Sequence, residues 1–175
     1  MTKGHPVKAV KARTIALALA GVLALSACSG TSSAQSAAVV DGRVITEQQL
    51  REATDQLNVA FPREGKPYTA SEILGLLIRA PYINEAATKA GKAQSESAAR
   101  AQFKNLKETP AESAVEVVQA DMSGQQLDQA AGQDLLASFA KINVTVNPRY
   151  GTFDAAQAAV VGERPNWLVP VPSAS

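Results

Sequence analysis

Residues 73–78 constrain this chain more than any other segment. Ile73, Leu74, Leu76, Leu77 and Ile78 are apolar almost all the way round a helix. Such a helix belongs at the centre of a fold, with other elements packed on most of its circumference. What can pack there is limited, because the chain is 46% apolar with much alanine and only 5% aromatic. Alanine favours helices and lets them approach closely, but it buries little area per residue. The expected core is therefore modest and mostly helical. At 175 residues the chain suffices for one domain of ordinary size.

The first residues are a different kind of sequence. Lys3, Lys8, Lys11 and Arg13 precede every acidic residue, and residues 15–25 run without a break through Ile, Leu, Val, Ala and one Gly. A charged start followed by an apolar stretch too short to span a bilayer comfortably is the pattern of a secretory signal. Leu25-Ser26-Ala27-Cys28 comes next, and it resembles the lipobox of bacterial lipoproteins. The resemblance implies that residues 1–27 are a cleaved lipoprotein signal peptide and that the Cys28 thiol carries a diacylglyceryl group. The alternatives are a plain secretory signal with an incidental cysteine, or the buried start of a helix. Cys28 is the chain's one cysteine, so it cannot form an internal disulfide, and lipid attachment accounts for its position. Two or three acyl chains anchor stably where one is marginal. Residues 28–37 are small, mostly polar and uncharged. They are expected to form a flexible tether that reaches roughly 30 Å when extended at ~3.3 Å per residue. The expected location is extracytoplasmic, at a membrane surface.

The remainder reads as a helical domain over residues 38–150. Ala38-Val39-Val40, a tight-turn dipeptide Asp41-Gly42, and Val44-Ile45 predict a hairpin. Thr46 with Gln49 predicts a capping box, and Leu50, Ala53, Leu57 and Phe61 line one face of the helix it opens. Thr69 or Ser71 starts the central helix, and Pro81 within it predicts a kink or a division. Tyr82, Ile83, Ala86, Ala87 and Ala90 continue its stripe to Gly91. Ser95 or Ser97 opens a helix carrying Ala99, Phe103 and Leu106, and Thr109-Pro110 opens another carrying Val115, Val118 and Met122. Leu127, Ala131, Leu135 and Phe139 mark the last helix. Residues 142–146 alternate as a strand. Residues 151–175, with Pro165, Pro170 and Pro172, read as an irregular tail, with Trp167 and Leu168 as candidate docking points.

The order hairpin, helices, strand carries a second resemblance. Val39-Val40-Asp41-Gly42-Arg43-Val44-Ile45-Thr46 looks like the opening of SurA-type periplasmic chaperones. The pattern across residues 74–91 is similar to the central helix of that domain. The close, Val146-Asn147-Pro148-Arg149-Tyr150-Gly151, looks like that of short SurA-N-like lipoproteins of actinobacteria. The resemblance covers roughly residues 38–155. It implies a mainly α fold in which the N-terminal hairpin meets a C-terminal strand in one small sheet, and a chaperone-like module that binds unfolded or extended polypeptide. No segment of the length needed for a parvulin isomerase domain is present.

Catalytic chemistry is expected to be absent. The chain's one histidine, His5, lies in the signal segment, which removes nucleophile–histidine pairs and the common zinc sites. Glu47, Glu52 and Asp55 are spaced like a solvated helix face. Gly91-Lys92 lacks the upstream glycine of a phosphate loop. A net charge of +1, without a basic stripe, gives no nucleic-acid signal. No cofactor and no metal are expected. Phe61, Tyr68, Tyr82 and Tyr150 are candidates for lining a peptide groove, although core packing suits each of them too. For Tyr150 and Arg149 the simpler reading is a ring packed on the sheet and a guanidinium paired with a carboxylate. The alternative function is an adaptor lipoprotein that binds one folded cell-envelope partner.

Overall fold

The computed structural model describes Met1 and residues 35–162. Residues 2–34, with Cys28 and nearly all of the signal segment and tether, lie outside the described residues, as do residues 163–175 of the tail. Strands β1 (Ser36–Val40) and β2 (Arg43–Thr46) form the expected hairpin. Asp41 and Gly42 both take positive φ, 47° and 85°, the two-residue turn geometry that matches strand twist. The Asp41 carboxylate does more than turn the chain. Its Oδ1 accepts from Asn143 N at 2.9 Å, and its Oδ2 accepts from the Tyr82 hydroxyl at 2.6 Å.

Five helices come next along the chain: α1 (Glu47–Ala60), α2 (Ala70–Lys89), α3 (Glu96–Arg100), α4 (Glu112–Gly124) and α5 (Gln129–Phe139). Thr46 and Gln49 cap α1 reciprocally, and Thr69 and Glu72 do the same for α2. Each box satisfies two backbone N–H groups that the helix itself cannot. The α1 face buries Leu50, Ala53 and Leu57 as its spacing predicts. Ile73, Leu74, Leu77 and Ile78 of α2 are 2% exposed or less, so α2 is the central helix. Leu76 is the exception and remains partly exposed.

Strand β3 (Val144–Val146) then returns to pair antiparallel with β1, giving the sheet order β2-β1-β3. Val39 faces Thr145 and Val40 faces Val144. The hairpin and the late strand therefore meet in one sheet, the arrangement that the SurA-type resemblance implies.

Several expectations change. The tether assigned to residues 28–37 ends earlier, because Ser36 and Ala37 belong to β1 and Ala37 is 0% exposed. Asn147 holds this end by donating from N to Ala37 O at 2.9 Å and from Nδ2 to Ser36 O at 3.2 Å. The helix expected to carry Ala99, Phe103 and Leu106 stops at Arg100, and the chain continues in turns that still bury Phe103. Helix α5 buries only Phe139 of its expected apolar face.

The tail assigned to residues 151–175 is not irregular throughout. Strands β4 (Thr152–Asp154) and β5 (Ala159–Val161) pair as a second hairpin. Asp154 organises its turn, its Oδ1 accepting from Ala156 N at 2.9 Å. The hairpin packs on α2 where Gly75 leaves room: a Cβ there would lie 3.2 Å from Val160 N. Strands of three residues leave too few positions for any period to be legible in the sequence.

Helix α2 runs unbroken through Pro81, so the predicted division does not occur. Proline supplies no N–H, and the carbonyl four residues earlier, that of Leu77, loses its helical donor. Arg43 supplies the replacement: its Nη2 donates to Leu77 O at 2.8 Å, while Nη1 lies 3.3 Å from Glu116 Oε2. Replacing Arg43 with Met is expected to cost about 1–2 kcal/mol, chiefly by leaving that carbonyl unsatisfied. In a Pro81→Ala background, where the amide returns, the same change should cost much less. A double-mutant cycle by urea denaturation measures the difference.

Candidate functional site

A cleft of about 550 Å³ lies between the end of α1, α2 and α4. Leu57 and Phe61 come from the α1 end, Leu76 and Ile83 from α2, and Val117 and Val118 from α4. On α4 two small residues lie on this side, and Gly124 lets the helix approach Ile83 closely. Ala120 and Gly124 line it, and a Cβ on Gly124 would sit 3.2 Å from Ile83 Cγ2.

Its aromatic wall is held from behind. Phe61 meets Phe103 edge to face with ring centroids 5.6 Å apart. Tyr68 is fixed by Asn58, whose Oδ1 accepts from Tyr68 N at 2.7 Å and whose Nδ2 donates to Tyr68 O at 3.0 Å. The Arg63 guanidinium lies 3.5 Å from the Tyr68 ring centroid and reaches Glu72 at 3.4 Å. Loops held this way present a preformed surface, which reduces the entropy lost when a ligand binds.

Three charged groups line this apolar space, of which Arg63 is the one paired with Glu72. Arg79 donates from Nε to Gly75 O at 3.2 Å, and among the described residues no carboxylate lies within ion-pair distance of it. Burial lowers its pKa, since the charged form is partly stripped of water. Asp121 lies at the edge and accepts from Gln125 Nε2 at 2.8 Å. The cleft is thus apolar, has an aromatic wall and carries one cation without a carboxylate partner.

Of the four groove candidates, the structure brings Phe61 and Tyr68 together and places the other two elsewhere. Tyr82 borders a separate hollow of about 430 Å³ between α2 and α5. Its ring meets Phe139 edge to face at 6.1 Å, and its hydroxyl donates to Asp41. Tyr150 packs against the core, and its carbonyl accepts from Ser71 Oγ at 2.8 Å. Arg149 pairs with Glu47 at 3.0 Å. The separation has a simple cause, since Tyr82 lies on the side of α2 that faces Asp41 and α5, while Leu76 and Ile83 face α4. Arg79 went unnoticed in the sequence. A single cation inside the apolar stretch of residues 73–83 was the available signal.

The Tyr82–Asp41 bond has a pH signature. Burial first, then the hydrogen bond and charge of Asp41, push the Tyr82 hydroxyl up to about 12. A phenol kept neutral by the fold contributes stability that is intact below its ordinary pKa, about 10, and is lost as pH rises toward the raised value. The Tyr82 hydroxyl and the Asn143 amide hold the Asp41 carboxyl below its ordinary value, so its contribution is lost only as pH falls through that lowered range. Alkaline spectrophotometric titration should show a tyrosine ionising near pH 12, and Asp41→Asn should bring it down.

No known family matches the chain, and comparison with curated proteins and with solved structures finds none similar to it. No helix among the described residues is long and apolar enough to cross a membrane.

Proposed function

We propose that this protein is a lipid-anchored extracytoplasmic lipoprotein whose helical domain acts as a chaperone-like module, holding apolar segments of unfolded or extended polypeptide in the cleft between α1, α2 and α4. The cleft carries this reading. It is preformed, apolar and aromatic-walled, and polypeptide segments are recognised by such surfaces without cofactor or catalysis. The meeting of β1 with β3 supports the resemblance to SurA N-terminal domains. The apolar run of residues 15–25, followed by Ser26-Ala27-Cys28, supports anchoring through lipid on Cys28. The reading assigns the protein no enzymatic activity.

The test uses the unlipidated protein that begins after Cys28. It should suppress aggregation of an unfolded model protein, and Ile83→Glu, which places a charge in the cleft, should abolish the effect while leaving helical circular dichroism intact. Equal suppression by both proteins removes the cleft from the mechanism. Labelled-palmitate incorporation, lost in Cys28→Ala, tests the anchor.

One observation favours the adaptor alternative. Leu136 on α5 is 58% exposed and Val59 on α1 is 52% exposed, which suits contact with a folded envelope protein. Crosslinking from Leu136 to one stoichiometric partner, with no binding of unfolded chains, would establish that role.

A further inference from the structure

Among the described residues, the Arg79 guanidinium stands in the cleft with no ion-pair partner. Its Nε donates to Gly75 O at 3.2 Å, and its two terminal nitrogens make no hydrogen bond among those residues. The other cation of the lining is engaged, since Arg63 lies 3.5 Å from the Tyr68 ring centroid and reaches Glu72 at 3.4 Å. Asp121 of the same lining accepts from Gln125 and does not pair with Arg79. A guanidinium presents its terminal donors as a planar fork that matches a carboxylate. Arg79 is half-buried, so such a pair is screened less by salt than one on the open surface. Burial also penalises the lone charge, the direction in which its pKa moves. A carboxylate brought by a ligand offsets that penalty.

The neighbours of Arg79 define the rest of the ligand. Leu76, Arg79 and Ile83 all line the cleft from α2. Spacings of three and four residues put them on one face of the helix. At 1.5 Å per residue, Leu76 comes ~4.5 Å before Arg79 along the axis and Ile83 ~6 Å after it. A carboxylate seated at Arg79 therefore has apolar surface on both sides. That order suits an acidic side chain within an apolar segment better than a chain end. A fatty acid brings a carboxylate but no N–H donor, whereas Asp121 and Gln125 of the lining carry oxygens that can accept from a peptide backbone.

We propose that the cleft selects apolar polypeptide segments that carry an acidic side chain, with Arg79 receiving the carboxylate between Leu76 and Ile83. This selectivity rests on the proposed chaperone-like function and narrows it to one class of client.

The probes are nine-residue peptides in which leucine and serine alternate and the central leucine is replaced by glutamate, glutamine or lysine. Each is amidated and carries a neutral coumarin on its N-terminus, so the central residue holds the only charge. Anisotropy titrations use the full chain in nonionic detergent, with detergent alone as the blank. The glutamate peptide should bind about tenfold more tightly than the glutamine peptide, and the lysine peptide should bind most weakly. Tenfold corresponds to about 1.4 kcal/mol, the low end for a hydrogen bond to a charged group. In Arg79→Gln, checked for intact helical circular dichroism, the glutamate peptide should fall to the affinity of the glutamine peptide, which itself should not change. Arg79→Glu gives an independent reading, because the preference should reverse toward the lysine peptide. Equal wild-type affinity for all three peptides sinks the selectivity and leaves the chaperone-like function standing. A glutamate preference that survives in Arg79→Gln removes Arg79 from the site. A glutamine peptide with a free C-terminal carboxylate that matches the glutamate peptide overturns the internal position of the charge. No binding of any peptide sinks the client reading and the selectivity together, and laurate binding in that case assigns the cleft to a fatty acid.

Discussion

Gly151→Ala should cost at least about 3 kcal/mol, or peel β5 away from the domain. Gly151 sits at φ 115°, and an added Cβ would lie 2.1 Å from Val161 O and 2.7 Å from Val161 C. That contact is with backbone and cannot be relieved by a rotamer change. A non-glycine residue held in a backbone region of this kind costs about 1–3 kcal/mol before any clash is counted. The two outcomes are separable. A lowered urea midpoint at constant m means the hairpin stays docked and strained, whereas a lowered m means part of the fold has come loose. Detachment would also show as faster hydrogen exchange at β4 and β5 with unchanged protection in α2. A variant with wild-type midpoint, slope and exchange would contradict the packing of Val161 on Gly151.

Leu74→Ala should cost about 3–5 kcal/mol, the range for truncating a leucine in a site that cannot collapse. Leu74 is 0% exposed on the central helix, and Ile73, Leu77 and Ile78 pack in the same core at 2% exposure or less. The informative comparison is Leu76→Ala, with the same chemistry two residues away. Leu76 is partly exposed and lines the cleft, so less apolar area leaves water, and its truncation should cost about 1 kcal/mol. The expected division is that Leu74→Ala lowers stability with little change in peptide affinity, while Leu76→Ala weakens peptide binding with little loss of stability. Thermal or urea denaturation paired with a fluorescent-peptide titration measures both quantities. Equal destabilisation by the two variants would mean that Leu76 belongs to the sealed core and that the cleft is closed in solution.

Local chemistry accounts for what was readable in the residues alone. The capping box of Thr46 and Gln49, the tight turn at Asp41-Gly42, the start of α2 at Thr69 and the buried phase of α1 are all present as their spacing implies. Each depends on partners within four or so residues, so the information lies in one short window. The segregation of an apolar, basic-flanked segment ahead of Cys28 is legible for the same reason.

The remaining features depend on partners that no window contains. Residues 102 positions apart, Asp41 and Asn143, lock the hairpin to β3. Pro81 leaves α2 whole because Arg43, on another element, takes the place of the missing donor. The second hairpin forms where Gly75 makes room for it on α2. The four aromatic candidates were equivalent as residue types, yet two line the cleft wall, one anchors the sheet through Asp41, and one packs on the core. Arg79 acquires its interest only because, among the described residues, the elements packed around it bring no carboxylate within ion-pair distance. Hydrogen bonds between neighbours in sequence are specified by residue type and spacing. The satisfaction of an orphaned carbonyl, the pairing of three-residue strands and the side of a helix that stays open are set by which distant surfaces pack together.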